Sequence, residues 1–368
     1  MATGFVWHER YMWHDNGSAA GLQPARGAYQ PGLHVESPET KRKLKNLMDA
    51  YGLTNQLTAL EFAEAQDDTL LRFHTKDYIE HVQTLSDGMG GDCGEAALVG
   101  PGSAEIARLA VGGCSAAVAS VLRGEVNNAY ALTRPPGHHA ERDRGRGFCI
   151  FGNVALSVME ARANKLVDRV AVVDWDVHHG NGTQQAFYDS ADVLTISMHQ
   201  EMLYPVNMGT QAETGEGAGV GTNINVPLPA GVGGGAYMAA MDEVVVPALH
   251  AFKPDLIVIA CGFDACYFDP VSHTLLVANH FRTMTQKVMA AADELCDGRI
   301  VANHEGGYCD FYVPFCGVAV IETLAGVTSG VKDPYGGTEF VANQDLMPHQ
   351  QARINEVVSG PLKALLKR

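Results

Sequence analysis

Apolar positions follow two rhythms along this chain. Short unbroken apolar runs, such as Val170-Ala171-Val172-Val173 and Leu256-Ile257-Val258-Ile259-Ala260, alternate with stretches in which apolar residues recur every three or four positions. A run without polar alternation reads as a strand buried on both faces, and the helical rhythm between runs reads as a crossover to the next strand. The expected architecture is therefore α/β: one domain over residues 1–368, with a central, mostly parallel sheet and helices on both faces. Strands are expected at 128–133, 170–174, 193–198, 224–228, 256–261 and 300–303. Helices are expected at 40–50, 68–86, 103–122, 183–188, 237–252, 280–296 and 319–324, and through most of 345–366. Pro38 near the first turn and Gly52 beyond the end bracket the first helix. Gly-rich stretches at 87–103, 209–222 and 230–235 read as loops within the domain. Residues 1–37 show neither rhythm. With Trp7, Tyr11, Trp13 and Tyr29 among polar neighbours, they read as an irregular segment packed on another surface, such as a second subunit.

Composition narrows the function classes. The net charge of −16 argues against a nucleic-acid backbone as partner and would tolerate a cationic substrate. Eight cysteines are scattered without a Cys-x-x-Cys pair, as expected of free, reduced, mostly buried thiols. No run of about 18 apolar residues appears. The first 13 residues lack a charged-then-apolar signal pattern. The expectation is a cytoplasmic protein without a membrane partner.

Chemistry-bearing residues collect at the ends of the expected strands. The 128–133 strand leads into Arg134-Pro135-Pro136-Gly137-His138-His139. The 170–174 strand leads into Asp174-Trp175-Asp176-Val177-His178-His179-Gly180-Asn181-Gly182. The others run into Met198-His199, Gly262-Phe263-Asp264 and His304-Glu305-Gly306-Gly307-Tyr308. In a parallel sheet these tips share one edge, the edge at which such folds bind ligands. Asp176 and His178 alternate with Trp175 and Val177, so a strand continuing through them would turn both to one side. A carboxylate and an imidazole together suit zinc or a similar divalent ion.

These motifs, with Ala140, Gly147-Phe148-Cys149 and Asp269-Pro270, occur in the order seen in the arginase-fold family of zinc-dependent deacetylases. The chain resembles in particular the bacterial relatives of class II histone deacetylases. The resemblance implies an active site at the carboxyl ends of the strands of an arginase/deacetylase-like sheet. It implies Asp176, His178 and Asp264 as ligands of one zinc ion per chain, leaving a coordination position open as a catalytic zinc requires. The all-oxygen-and-nitrogen donor set leaves other divalent ions open. His139 matches the general base and acid, oriented by Asn181, where class I members carry Asp. His138 matches its partner, supported by Asp174, and Tyr308 matches the oxyanion stabiliser. Members with His in place of this Tyr deacetylate poorly.

Phe148, beside Gly147, and Tyr204 match the aromatic walls of the substrate channel. Asp92 matches a rim carboxylate that holds the substrate backbone, and Gly306 lets the backbone approach the site. Val271 stands where acetylpolyamine-selective relatives carry Glu. Gly152-Asn153 departs from the usual Asn-Asn behind the channel wall. A potassium shell is implied at Asp174, Asp176, His178, Ser197 and Met198, and a second at Phe187, Ser190 and Val193. The implied substrate is an acetylated lysine peptide or protein, or an acetylated small amine, and the implied assembly is a homodimer or homotetramer. The alternatives are an acetylpolyamine amidohydrolase and a catalytically quiet acyl-ligand-binding regulatory protein. A manganese ureohydrolase would need more ligands than these motifs supply.

Overall fold

Parallel strands form the frame of the computed structural model, which describes residues 2–20, 22–24, 27–336 and 344–367. In chain order they are β1 (Thr3–Val6), β2 (Thr58–Ala59), β3 (Asn128–Ala131), β4 (Val170–Asp174), β5 (Val193–Gln200), β6 (Asn223–Leu228), β7 (Leu256–Cys261) and β8 (Ile300–His304). They pair in the order β6-β5-β4-β7-β8-β3-β1-β2, with every pairing parallel. The central strands are buried on both faces. Val170 and Val172 of β4 join Leu256 and Val258 of β7 in one core, while Ala171 and Val173 join Ile257 and Ile259 in the other. Each Val, Leu or Ile buried in this way contributes about 1.5–3 kcal/mol.

Helices cover both faces. They are α1 (Glu39–Ala50), α2 (Lys76–Asp87), α3 (Ser103–Leu122), α4 (Asn153–Ala163), α5 (Asn181–Phe187), α6 (Gly234–Ala240), α7 (Val246–Phe252), α8 (Ala278–Leu295), α9 (Val313–Ala325) and α10 (Pro348–Val357). A single π turn, Met241–Val245, joins α6 to α7. By length and composition α3 could cross a membrane, unlike any stretch expected from the sequence. Here it packs as a core helix against α4, β1 and β3.

Several expectations need correction. Residues 1–37 are not irregular throughout: β1 is a fully buried strand of the main sheet, paired with β3 from Thr3↔Asn128 to Val6↔Ala131. Four residues are too few to display a period, so long-range pairing decides this strand. Tyr11 is buried and its hydroxyl donates to the Leu109 carbonyl, whereas Trp13 and Tyr29 are exposed. The 68–86 stretch is two helices, Asp67–Leu70 and α2, the second capped by Thr75. Helix α9 begins six residues before the expected 319, because Pro314 lies in its first turn, where a missing N–H costs little.

A buried ion cluster ties the N-terminal segment to the β3 tip. Glu36 accepts from Arg134 Nε at 2.9 and 3.1 Å, from Lys41 Nζ at 3.2 Å and from Asn16 Nδ2 at 2.8 Å. Arg134 Nη1 also donates to the His14 carbonyl at 2.7 Å. Arg134 opens the segment that carries His138 and His139, so the cluster sets where that segment starts.

Candidate active site

The tip after β4 is made by carboxylates, not by strand geometry. The strand stops at Asp174, which corrects the expectation that alternation would aim Asp176 and His178 together. Instead Asp174 Oδ1 accepts from the Asp176 N–H at 3.0 Å, and Asp176 Oδ1 accepts from the His178 N–H at 2.9 Å. Such side-chain-to-backbone turns are what Asp offers once pairing ends. Asp264, just past β7, accepts from the Val177 N–H at 2.8 Å and locks the two tips together.

Asp176, His178 and Asp264 each present one ligand atom, all within 4.8 Å of one another. His178 Nδ1 lies 3.1 Å from Asp176 Oδ1 and 2.9 Å from Asp264 Oδ2. Burial opposes charge on His178, but Asp264 and Asp176 outweigh it and raise the imidazole to about 10. Burial, then the neighbouring Asp176, lifts the Asp264 carboxyl to about 6. The arrangement draws positive charge to one point. A Cβ on Gly306 would overlap the oxygens of Asp264 and Asp176, so this position needs glycine. Converging oxygen and nitrogen donors, oriented from behind by backbone N–H groups, fit zinc.

Among the described residues a second group, His138, Cys149 and Glu305, also lies within 4.8 Å. Its carboxylate is already engaged. Glu305 accepts from the N–H groups of Gly137 at 2.6 Å and His138 at 3.1 Å, and from Asn303 Nδ2 at 2.8 Å. It clamps the β3 tip to the β8 tip, a role its place in the sequence did not reveal. Asp269 works similarly, accepting from the N–H groups of Val271 at 3.0 Å and Tyr308 at 2.8 Å.

The two histidines differ in charge. His138 Nδ1 donates to Asp174 Oδ2 at 2.9 Å. Burial opposes its charge, yet Asp176 and Asp174 prevail and hold its pKa well above the ordinary value. His139, with ring centroid 4.0 Å from that of His138, is pushed well below by burial first, then by the charges of His138 and His178. It stays neutral, and its Nδ1 lies 2.8 Å from Asn181 Oδ1. An amide oxygen only accepts, so Nδ1 carries the proton and Nε2 is the basic nitrogen.

His139, His178 and Tyr308 line a cavity of about 270 Å³, together with Gly147, Phe148, Tyr204 and Val271. Phe148 has φ +71°, in the left-handed region that non-glycine residues avoid. N–H donation from Gly147 to the Glu95 carbonyl (3.0 Å) and from Phe148 to the Ala96 carbonyl (2.9 Å) holds it there. The Phe148 ring then meets Tyr308 edge-on at 5.6 Å. Tyr204 faces His139 at 5.2 Å. Its hydroxyl is buried beside the Arg146 guanidinium. Burial, then Asp264 and Asp176, keeps the Tyr308 phenol protonated. Asn153 Nδ2 donates to the Pro135 carbonyl at 3.0 Å, so the Gly152-Asn153 departure still braces the loop behind the channel.

Two further residues of the strand and loop tips are held by their own neighbours. Asp92 is exposed, and its oxygens accept the N–H groups of its own loop, Gly94, Ala96 and Ala97, each at 3.0 Å. His199, at the β5 tip, is bound by Ser197 Oγ and the Gly209 carbonyl, each at 2.9 Å, away from the cavity. Asp174 and Ser197 border a small hollow with Thr183, whose hydroxyl lacks a partner among the described residues. Met198 lies in the core. In the second expected shell the Phe187 carbonyl accepts the Ser190 N–H at 3.0 Å, the Ser190 carbonyl accepts the Thr222 hydroxyl at 2.8 Å, and Val193 starts β5.

Comparison with known proteins agrees with this geometry. Residues 34–324 match the histone deacetylase domain. The chain is 50% identical over 335 residues to a histone deacetylase-like amidohydrolase of Pseudomonas aeruginosa, covering 90% of this chain and 88% of that protein. It is 36% identical over 341 residues to a probable deacetylase of Archaeoglobus fulgidus, covering 91% and 89%. The crystal structure of the HDA15 HD domain superposes with a TM-score of 0.87 at 30% identity, covering 99% of this chain and 96% of that one. With a match of that length and a site built in this way, the chain belongs to the histone deacetylase family.

Proposed function

We propose that this protein is a zinc-dependent amidohydrolase that removes the acetyl group from an N-ε-acetyl-lysine-like amine, releasing the free amine and acetate. The observation that carries this reading is the meeting of the three-donor group, a neutral His139 and Tyr308 at one cavity walled by Phe148 and Tyr204. When bound by Asp176, His178 and Asp264, zinc supplies Lewis acidity toward a carbonyl and a water molecule.

The chain's own residues do the rest. His139 Nε2 takes a proton from the attacking water and later hands it to the leaving nitrogen as the C–N bond breaks. His138, hydrogen-bonded to the Asp174 carboxylate, places positive charge beside the negative charge that develops. Tyr308 donates its phenol hydrogen to the oxyanion. Phe148 and Tyr204 exclude water and hold an extended aliphatic chain between them.

We assign potassium to Asp174, Asp176, His178, Ser197 and Met198, and a second ion to Phe187, Ser190 and Val193, as structural cations. The reading includes a reducing, cytoplasmic setting, which eight free buried thiols favour. It also includes a homodimer or homotetramer contacting through the exposed aromatics of the N-terminal segment. Light scattering showing only monomer would refute that assembly.

The deciding assay compares kcat/KM of zinc-loaded protein on an acetyl-lysine peptide and on N-acetylputrescine. A peptide preference of about tenfold, or about 1.4 kcal/mol in transition-state binding, supports the proposal. The reverse preference moves the same chemistry to acetylated polyamines. Zinc binding without turnover of either points to another acyl group or to an acyl-ligand-binding protein.

A further inference from the structure

We propose that Glu141 fixes the proton of His139 on Nδ1 by orienting the Asn181 amide between them, and is thus a positioning residue for proton transfer. This rests on the deacetylase reading above, in which His139 Nε2 is the base.

The Asn181 amide is buried, with Oδ1 2.8 Å from His139 Nδ1. Its Nδ2 donates to Glu141 Oε1 at 2.8 Å and to the His139 carbonyl at 3.2 Å. The two ends of an amide have nearly the same shape, so partners decide which way it points. On the Glu141 side both partners are acceptors, so only the NH2 end fits there. The oxygen must then face His139, and His139 must donate from Nδ1. In the opposite orientation the NH2 would face Nδ1, the proton would move to Nε2, and the nitrogen lining the cavity would no longer be a base.

Glu141 is itself held as an acceptor. Arg146 Nη1 donates to Oε1 at 2.8 Å and Arg144 Nε donates to Oε2 at 2.7 Å. Burial would raise its carboxyl, but these two arginines keep it below the usual range. Arg146 is anchored in turn by Glu95 at 2.8 Å, and its guanidinium lies 5.5 Å from the centroid of the Tyr204 ring. The chain His139–Asn181–Glu141–Arg146 therefore runs from the base to the channel wall. A neutral Asn181 needs this support, because nothing in the amide itself prefers one orientation.

The test uses zinc-loaded full-length protein labelled with 15N-histidine, with the His139 ring signals assigned by their loss in His139→Ala. Wild type should show a protonated Nδ1 and an unprotonated Nε2. In Glu141→Leu the signals should shift toward the Nε2–H form, with kcat at least tenfold lower, and KM and zinc content little changed. Glu141→Met, which also lacks an acceptor oxygen, serves if the Leu variant fails to fold. Asn181→Asp would press two carboxylates together and should lose activity strongly. Adding Glu141→Gln to it, which supplies an NH2 donor, should recover at least tenfold. An unchanged tautomer in the Glu141 variants, or an Asn181→Asp loss indifferent to residue 141, would overturn the proposal. A wild-type Nδ1–H tautomer without turnover of any acylated amine would instead refute the deacetylase reading and leave the Glu141 assignment standing.

Discussion

Replacing Glu36 by Gln should cost this protein about 3 kcal/mol at neutral pH, and the cost should vanish in acid. Two routes lead to that magnitude. Burial alone would raise the Glu36 carboxyl, but the charges of Arg134 and Lys41 hold it at about 2 against an ordinary 4.5. That displacement is worth about 3 kcal/mol of folding free energy at pH 7. Independently, removing one charge from a buried cluster strands its partners at a cost of about 3–5 kcal/mol. Here the stranded groups are Arg134 and Lys41, both essentially inaccessible.

Because the folded carboxyl titrates below the unfolded one, the stabilisation is complete above about pH 5 and is lost as pH falls toward 2. For a chain of this size about 3 kcal/mol corresponds to roughly 4 °C in unfolding midpoint. Calorimetry of wild type and Glu36→Gln should give that gap at pH 7 and a narrowing gap as pH drops from 5 to the lowest value at which both fold. A constant gap across that range, or one under about 1 °C at pH 7, would show that Glu36 is not held as a carboxylate by these cations.

Three further outcomes are expected. Tyr308→Phe should lower kcat by about 10²–10³ while leaving zinc content unchanged, as loss of one oxyanion donor does; an unchanged kcat would remove Tyr308 from the reaction. His178→Ala should fail to retain stoichiometric zinc by elemental analysis, and chelation of wild type should abolish turnover until zinc is restored; full activity in chelator would rule out a metal-dependent reaction. Val271→Glu should raise the N-acetylputrescine to acetyl-lysine-peptide ratio of kcat/KM by about threefold to tenfold, an effect that weakens with salt as an exposed ion pair does; an unmoved ratio would mean that the substrate's distal amine does not pass residue 271.

Much of this was legible along the chain because the signals are local. The runs at 170–174 and 256–261 read as strands covered on both sides, and their polar tips marked the working edge of the sheet. The order of the motifs carried the resemblance, and with it Asp176, His178, Asp264, His138, His139 and Tyr308. The sequence did not reveal β1, since Thr3–Val6 becomes a strand only through its pairing with β3. It did not reveal that Asp92 would turn its oxygens onto its own loop, because a Gly-rich segment leaves open which N–H groups a carboxylate will meet.

The tertiary structure alone decided how the site's groups are tuned. Asp176 and His178 lie two positions apart, yet carboxylate-capped turns bring them together with Asp264 from another strand. Glu305 and Glu141 are two acidic residues among many until folding places one under the loop N–H groups of Gly137 and His138 and the other behind Asn181. Sequence determined which chemical groups each strand would deliver to the edge. Packing determined which of them are charged, because burial and the nearest neighbouring charge exist only once distant segments share a low-dielectric interior.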